Sequence, residues 1–100
     1  MKFGLEEDTV RDIQKVFTAF PEVDEVILFG SRATGSYKNG SDIDLAIKGI
    51  VSHTTLNNIS IKLDELFLPY TFDLAVFNDI DNPDLLASIR REGIDFYFAA

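Results

Sequence analysis

The apolar residues of this chain recur with two different periods, and each period predicts a different kind of element. Three segments have the period of a helix: residues 6 or 7 to 20, residues 53 or 54 to 67, and residues 82–92. Pro21 and Pro69 would end the first two, and a glycine would end the last. The positions expected to face inward are Val10, Ile13, Val16, Phe17, Phe20, Leu56, Ile59, Leu63, Leu66, Phe67, Leu85, Leu86 and Ile89.

Three shorter runs have the composition or the alternation of strands, at residues 24–30, 42–48 and 71–77. The second run begins with Asp42 and Asp44, and Asp73 lies near the start of the third. Because side chains alternate along a strand, Asp42 and Asp44 should share one face while the apolar residues Ile43, Leu45 and Ile47 share the other. Small Ala46 and Ala75 would leave the acidic face open.

The order of these elements predicts a mixed fold, α+β or α/β, around a small sheet. Ser31 follows the first strand and Asp42 begins the second, so these two strands must be antiparallel if the two residues are to meet. Asp73 begins its strand as Asp42 does, so the second and third strands should be parallel, with helix 54–67 as a right-handed crossover. The prediction is a sheet of three strands, or slightly more, with about four helices, one of them a short turn after Gly30.

The pair Asp42 and Asp44 carries the first indication of chemistry. Two carboxylates on one strand face raise each other's pKa unless a positive charge lies between them. A divalent cation supplies that charge, and Mg²⁺ binds through one or two carboxylates together with substrate phosphates. Asp73 is the natural third ligand, which would make a two-metal site possible. The alternative is that these acids are solvated charges at a strand edge.

Gly30-Ser31 carries the second indication. An apolar strand that ends at Gly30 would deliver a tight turn, and Ser31 would then lie at the first position of a short helix. The first N–H groups of a helix are free, so together with the Ser31 hydroxyl they can hold a phosphate. The alternative is an ordinary turn.

These five residues, with the stretch FGSRATGSYKNGSDIDLAI around four of them, resemble the nucleotidyltransferase superfamily that includes DNA polymerase beta. The similarity is greatest to its minimal one-domain branch, the MNT proteins. The tail NPDLLASIRREGIDFYF also resembles the small members that accompany HEPN-domain proteins in toxin–antitoxin pairs. The resemblance covers nearly the whole chain and implies a polymerase beta-like fold.

The resemblance implies a role for each matching position. Asp42 and Asp44 would be metal ligands, and Asp73 would be the third carboxylate, which helps to activate the attacking hydroxyl. The nucleotide-binding residues would be Gly30, Ser31, Arg32 and Ser41. Thr34 departs from the pattern, because many relatives have a longer or basic side chain there, and this weakens the expected grip on a triphosphate.

Composition narrows the range of partners. One hundred residues should form one domain, 1–100, with no room for a second lobe, so we expect the acceptor on another chain. The net charge of −8, from 17 acids and 9 bases, makes direct DNA or RNA binding unfavourable. The absence of cysteine, of a signal segment and of a long apolar run favours a cytoplasmic protein without a membrane segment.

Two functions are consistent with these features. In the first, the chain uses Mg²⁺ to transfer AMP from ATP to a hydroxyl, expected to be that of a tyrosine, on a HEPN-domain partner, and so acts as an antitoxin. In the second, it binds nucleotide with little or no turnover and neutralises the partner by forming a complex. The apolar residues Phe96, Tyr97 and Phe98 would either join the core or form a subunit contact, and a homo-oligomer is possible. Tyr37 would stack on a base or be partly buried in its loop, and Lys38 would reach a phosphate or remain a surface charge.

Overall fold

The structure is a computed structural model that describes residues 1–100. Its elements in chain order are α1 (Glu7–Phe17), β1 (Val23–Phe29), α2 (Ser31–Thr34), β2 (Ile43–Gly49), α3 (His53–Asp64), β3 (Phe72–Val76), α4 (Pro83–Glu92) and β4 (Ile94–Phe98), with a short 3-10 turn after β3. The four strands form one mixed sheet in the order β3-β2-β1-β4. The fold class predicted from the sequence is therefore confirmed.

The helix starts follow local sequence signals more closely than the helix ends do. The Ser52 side chain caps α3 by accepting a hydrogen bond from the N–H of Thr55 at 3.1 Å. Asn82 caps α4 in the same way, and Pro83 occupies its first turn. Both α1 and α3 end three residues earlier than predicted. Phe20 and Leu66 still pack against the core from the turns that follow the helices, whereas Phe67, which the sequence predicts to face inward, is 90% exposed.

The predicted strand pairings are confirmed. Strand β1 is antiparallel to β2, and β2 is parallel to β3. The sequence did not predict β4, which lies antiparallel to β1 at the other edge of the sheet. Because β4 uses the apolar tail, Phe96 is buried at 4% exposure, and only Phe98 stays largely exposed at 61%. Most of the tail is thus core and not free contact surface.

The two faces of the sheet are covered unequally. One face packs against α1 and α3 and forms a cluster of 13 buried apolar residues. The other face packs against α4 and forms a cluster of only three, Ile27, Ala46 and Ile89. Ala46 is fully buried there, so the acidic face is open only around its acids, and the expected openness at Ala46 is wrong. No helix is long and apolar enough to cross a membrane.

Candidate functional site

Gly30 connects β1 to the turn of helix α2 and has a backbone conformation that favours glycine, with φ of +73°. A Cβ atom at this position would overlap the Asp44 carboxylate, and the next strand places Asp44 directly opposite Phe29. Only glycine lets the backbone approach this carboxylate so closely. The Gly-Ser turn and the acidic strand are therefore in direct contact, as the sequence predicted.

The parallel pairing of β2 with β3 brings in the third acid. Asp44 and Asp73 are register partners across the two strands, and Ile43 pairs with Phe72 beside them. Asp42 lies one residue before β2 and is exposed, as is Asp73, whereas Asp44 is half-buried. Three segments that are far apart in the sequence thus meet at one end of the sheet.

Asp44 is the electrostatic centre of this end of the sheet. Its pKa is raised from 3.8 to about 6, first by burial and then by the negative charges of Asp73 and Asp42, with a hydrogen bond to Asp73 adding to the effect. The Arg32 guanidinium lowers the same pKa but does not offset the other causes. The site therefore contains more negative charge than its own residues neutralise.

This surplus of carboxylate oxygen fits a divalent cation of the Mg²⁺ type, which prefers oxygen ligands. The side chains do not form a ready-made cluster of three metal ligands. Such a cluster is not required for Mg²⁺, because this ion usually takes one or two carboxylates and completes its shell with water and substrate phosphates. Asp42, Asp44 and Asp73 are the residues that would hold it.

Arg32 does not lie with the acids as a free phosphate ligand would. It is the only buried charged residue, with 3% exposure. Its Nε and Nη2 atoms donate to the carbonyl of Ser41 at 3.2 and 2.8 Å, and Nη1 donates to the carbonyl of Phe3 at 2.9 Å. The geometry favours a structural role for Arg32, and its contact with nucleotide stays a prediction.

Ser41 is also engaged within the protein. Its hydroxyl accepts a hydrogen bond from the N–H of Lys38 at 2.8 Å, and its own N–H donates to the carbonyl of Lys38 at 3.0 Å. These two bonds close the loop that leads into β2. The nucleotide contact of Ser41 stays a prediction, as do the two alternatives for Lys38, and Ser31 lies at the start of α2 as predicted.

Sequence reasoning missed two contributors to this region, Gly4 and Tyr70. Both line a surface cavity of about 210 Å³ together with Arg32 and Tyr37. Tyr37 is 38% exposed, as expected for a partly buried loop tyrosine. Two sequence features could have indicated these residues: Gly4 lies just before the first predicted helix, and Tyr70 directly follows Pro69.

Comparison with known proteins was made at the level of families and of structures. Residues 11–98 match the family described as polymerase beta, nucleotidyltransferase. No curated protein sequence shows a significant match to the chain.

Several solved structures share the fold. A chain of a toxin–antitoxin crystal structure with AMP-PNP superposes with a TM-score of 0.73 at 20% identity, over 90% of this chain and 73% of that chain. A chain of the complex between a tri-AMPylated Shewanella oneidensis HEPN toxin and an MNT antitoxin superposes with a TM-score of 0.70 at 17% identity, over 95% and 74%. A chain of the MntA-HepT toxin–antitoxin structure gives 0.69 at 18% identity, over 94% and 74%. At this level of identity the likeness establishes the fold.

Proposed function

Because this chain belongs to the polymerase beta nucleotidyltransferase family, we propose that it transfers AMP from ATP to a protein hydroxyl in a Mg²⁺-dependent reaction. The observation that carries the proposal is the position of Asp44. This carboxylate lies against the backbone of Gly30 on one side and opposite Asp73 on the other. This contact supports one small site that combines the proposed phosphate-binding turn with the proposed metal-binding carboxylates.

Each residue has a defined task in this reaction. Asp42, Asp44 and Asp73 would hold Mg²⁺, which would polarise the α-phosphate and neutralise the charge of the leaving pyrophosphate. The Gly30-Ser31 turn presents N–H groups and a hydroxyl to the phosphates. Asp73, which is exposed at the start of β3, accepts the proton of the incoming hydroxyl.

The reaction exchanges one bond at the α-phosphorus for another. The acceptor oxygen forms a bond to the α-phosphorus, and the bond from that phosphorus to the oxygen of the β-phosphate breaks. Pyrophosphate leaves with the electron pair of the broken bond, and the acceptor gains one AMP group. We propose that the reaction takes place in the cytoplasm, where ATP is available as the donor.

A HEPN-type protein is the partner we propose. The nucleotidyltransferase fold takes up the 100 residues described here, so the acceptor hydroxyl must be supplied from outside them. Nucleic acid is disfavoured by the net charge of −8. Two proteins of the same fold are found in complexes with a HEPN or HepT toxin, and in one of them the toxin is tri-AMPylated. We expect a tyrosine as the acceptor.

A second function, in which the chain neutralises its partner by binding alone, is compatible with the same site. The three acids are not arranged as a preformed metal cluster, so a site that binds nucleotide without turnover is compatible with the geometry. The two functions differ in whether the partner gains mass.

Co-expression with a HEPN protein encoded by an adjacent gene tests the proposal. The complex is isolated by size exclusion, incubated with ATP and Mg²⁺, and measured by intact-mass spectrometry. A complex whose HEPN subunit gains the mass of AMP supports the enzyme, and the variant Asp44→Asn should give the complex without the added mass. A complex of the unsubstituted chain that gains no mass would support neutralisation by binding, and the absence of any complex would refute the pairing.

A further inference from the structure

The buried guanidinium of Arg32 is enclosed by two tyrosine rings. Its Cζ atom lies 5.3 Å from the ring centroid of Tyr37 and 4.9 Å from that of Tyr70. A cation held over aromatic faces is stabilised by their electron density, more strongly where water is excluded. These contacts, with the hydrogen bonds to Ser41 and Phe3, explain how the fold tolerates a buried charge.

The N-terminal residues close this cluster from outside. Lys2 and Leu5 form a small β-bridge, and Gly4 between them has φ of +73°. A Cβ atom at Gly4 would lie 2.9 Å from Nη1 of Arg32 and 2.8 Å from Cζ of Tyr37. Contacts this short mean that the turn packs directly on the guanidinium and the ring.

Two of the segments that Arg32 contacts lead into the candidate site. Ser41 immediately precedes Asp42, and Tyr70 lies three residues before Asp73. The segments that lead into β2 and β3 are also joined to each other, because the N–H of Ile43 donates to the carbonyl of Thr71 at 2.9 Å. Arg32 itself follows Ser31 directly.

We propose that Arg32 is a positioning residue of the candidate site, which fixes the backbone from which Asp42 and Asp73 extend. The identity of the reaction rests on the proposed function, whereas the positioning itself is a statement about geometry. Arginine suits this task because its planar fork can bond one carbonyl with two N–H groups and stack between rings at the same time. Lysine keeps the charge but offers neither.

The experiment compares Arg32→Lys with Arg91→Lys, a matched change at an arginine whose side chain is 67% exposed. Both variants are assayed below their melting midpoints. We expect Arg32→Lys, and not Arg91→Lys, to shift the backbone amide resonances of residues 41–44 and 71–73 and to weaken the binding of Mn²⁺ added alone as a paramagnetic probe. The kcat of AMP transfer should fall about 10- to 100-fold, as expected for a small misplacement of reacting groups.

The Michaelis constant separates positioning from phosphate binding. A positioning residue lowers kcat while the KM for ATP changes by less than about threefold, whereas loss of a phosphate ligand raises KM with kcat maintained. The second pattern, or unshifted amide resonances in Arg32→Lys, would overturn the inference. If the unsubstituted chain transfers no AMP, the proposed function fails, but the amide and Mn²⁺ measurements still decide the role of Arg32.

Gly4→Ala provides a variant that leaves the charge in place. It should push against Tyr37 and Arg32 and shift the same amide resonances, with a smaller loss of Mn²⁺ affinity. This variant also decides the matter if Arg32→Lys does not fold. If Gly4→Ala folds and the amide resonances of residues 41–44 do not shift, the proposed positioning role of Arg32 would be contradicted.

Discussion

The two faces of the sheet differ in burial and in charge, and β2 contributes residues to both. Ile43, Leu45 and Ile47 are completely buried on the face that packs against α1 and α3. Asp44 and Lys48 alternate with them on the other face and keep contact with solvent. A domain of this size thus concentrates its hydrophobic stabilisation on one face and leaves one end of the other free for charged groups that would destabilise a core.

The acidic face should respond most strongly in activity. Asp44→Asn or Asp42→Asn removes a candidate metal ligand, and we expect AMP transfer to fall about 100- to 1000-fold or more. Stability without Mg²⁺ should be unchanged or higher in Asp44→Asn, because repulsion with Asp73 is removed. Intact-mass kinetics and thermal melting measure the two effects. Retention of full transfer by both variants at saturating Mg²⁺ would contradict the assignment.

The buried face should respond most strongly in stability. Leu45→Ala leaves a cavity in the larger core and should lower the free energy of unfolding by about 2–5 kcal/mol. Lys48→Ala, on the other face of the same strand, should change it by only about 1 kcal/mol, because its ion pair with Glu25 is partly exposed and is long, at 3.7 Å. Urea unfolding compares the two. Equal losses would show that the faces do not differ as proposed.

Two glycines sharpen the comparison at the rim of the acidic face. Gly30 and Gly35 both have positive φ, +73° and +87°. Alanine at Gly35, which is left-handed, should cost about 1–2 kcal/mol. Alanine at Gly30 should cost more, because its ψ of −155° belongs to a region that almost only glycine adopts and its Cβ would displace Asp44, whereas nothing lies within 4 Å of a Cβ at Gly35. We therefore expect a lower melting point and weaker Mn²⁺ binding in Gly30→Ala. Equal Mn²⁺ affinities of the two variants would contradict the assignment of Gly30 to the site.

The smallest expected effect is a pH dependence of stability. The pKa of Asp44 is about 6 in the folded chain against an ordinary 3.8, so the folded state holds this proton more tightly. Without metal, the contribution of Asp44 to stability should therefore fall as pH rises from 3.8 to about 6, by about 1 kcal/mol after allowance for its exposure. Metal binding needs the ionised carboxylate and should strengthen over the same range.

Thermal melting across pH, with and without Mg²⁺, measures both trends. Asp44→Asn should remove them, and Asp12→Asn on the exposed side of α1 is a matched control that should not. If the metal-free chain instead becomes more stable between pH 3.8 and 6, and Asp44→Asn removes that rise, the proposed electrostatics of Asp44 would be contradicted.

The sequence predicted which strands would pair better than it predicted the size of the sheet. Strand alternation around Asp42 and Asp44, and the parallel pairing that brings in Asp73, followed from local pattern and from the need for the acids to meet. The fourth strand did not, because residues 94–98 have no local signal that distinguishes a paired strand from an exposed apolar tail. Pairing with β1, for example of Val26 with Tyr97, makes this segment a strand.

What the sequence alone determined, then, is which residues can do chemistry: their types and spacing define a Gly-Ser turn and three carboxylates. What only the tertiary structure decided is their surroundings. The resemblance implies a nucleotide contact for Arg32, which stays a prediction, and the fold buries this side chain between Tyr37 and Tyr70. Gly93 ends the last helix as the sequence predicts, and with a φ of −64° its lack of a side chain makes room for Ile27. The physical reason is the same in both cases, because the contacts of Arg32 with Tyr70 and of Gly93 with Ile27 join residues distant in the chain, and local pattern carries no information about them.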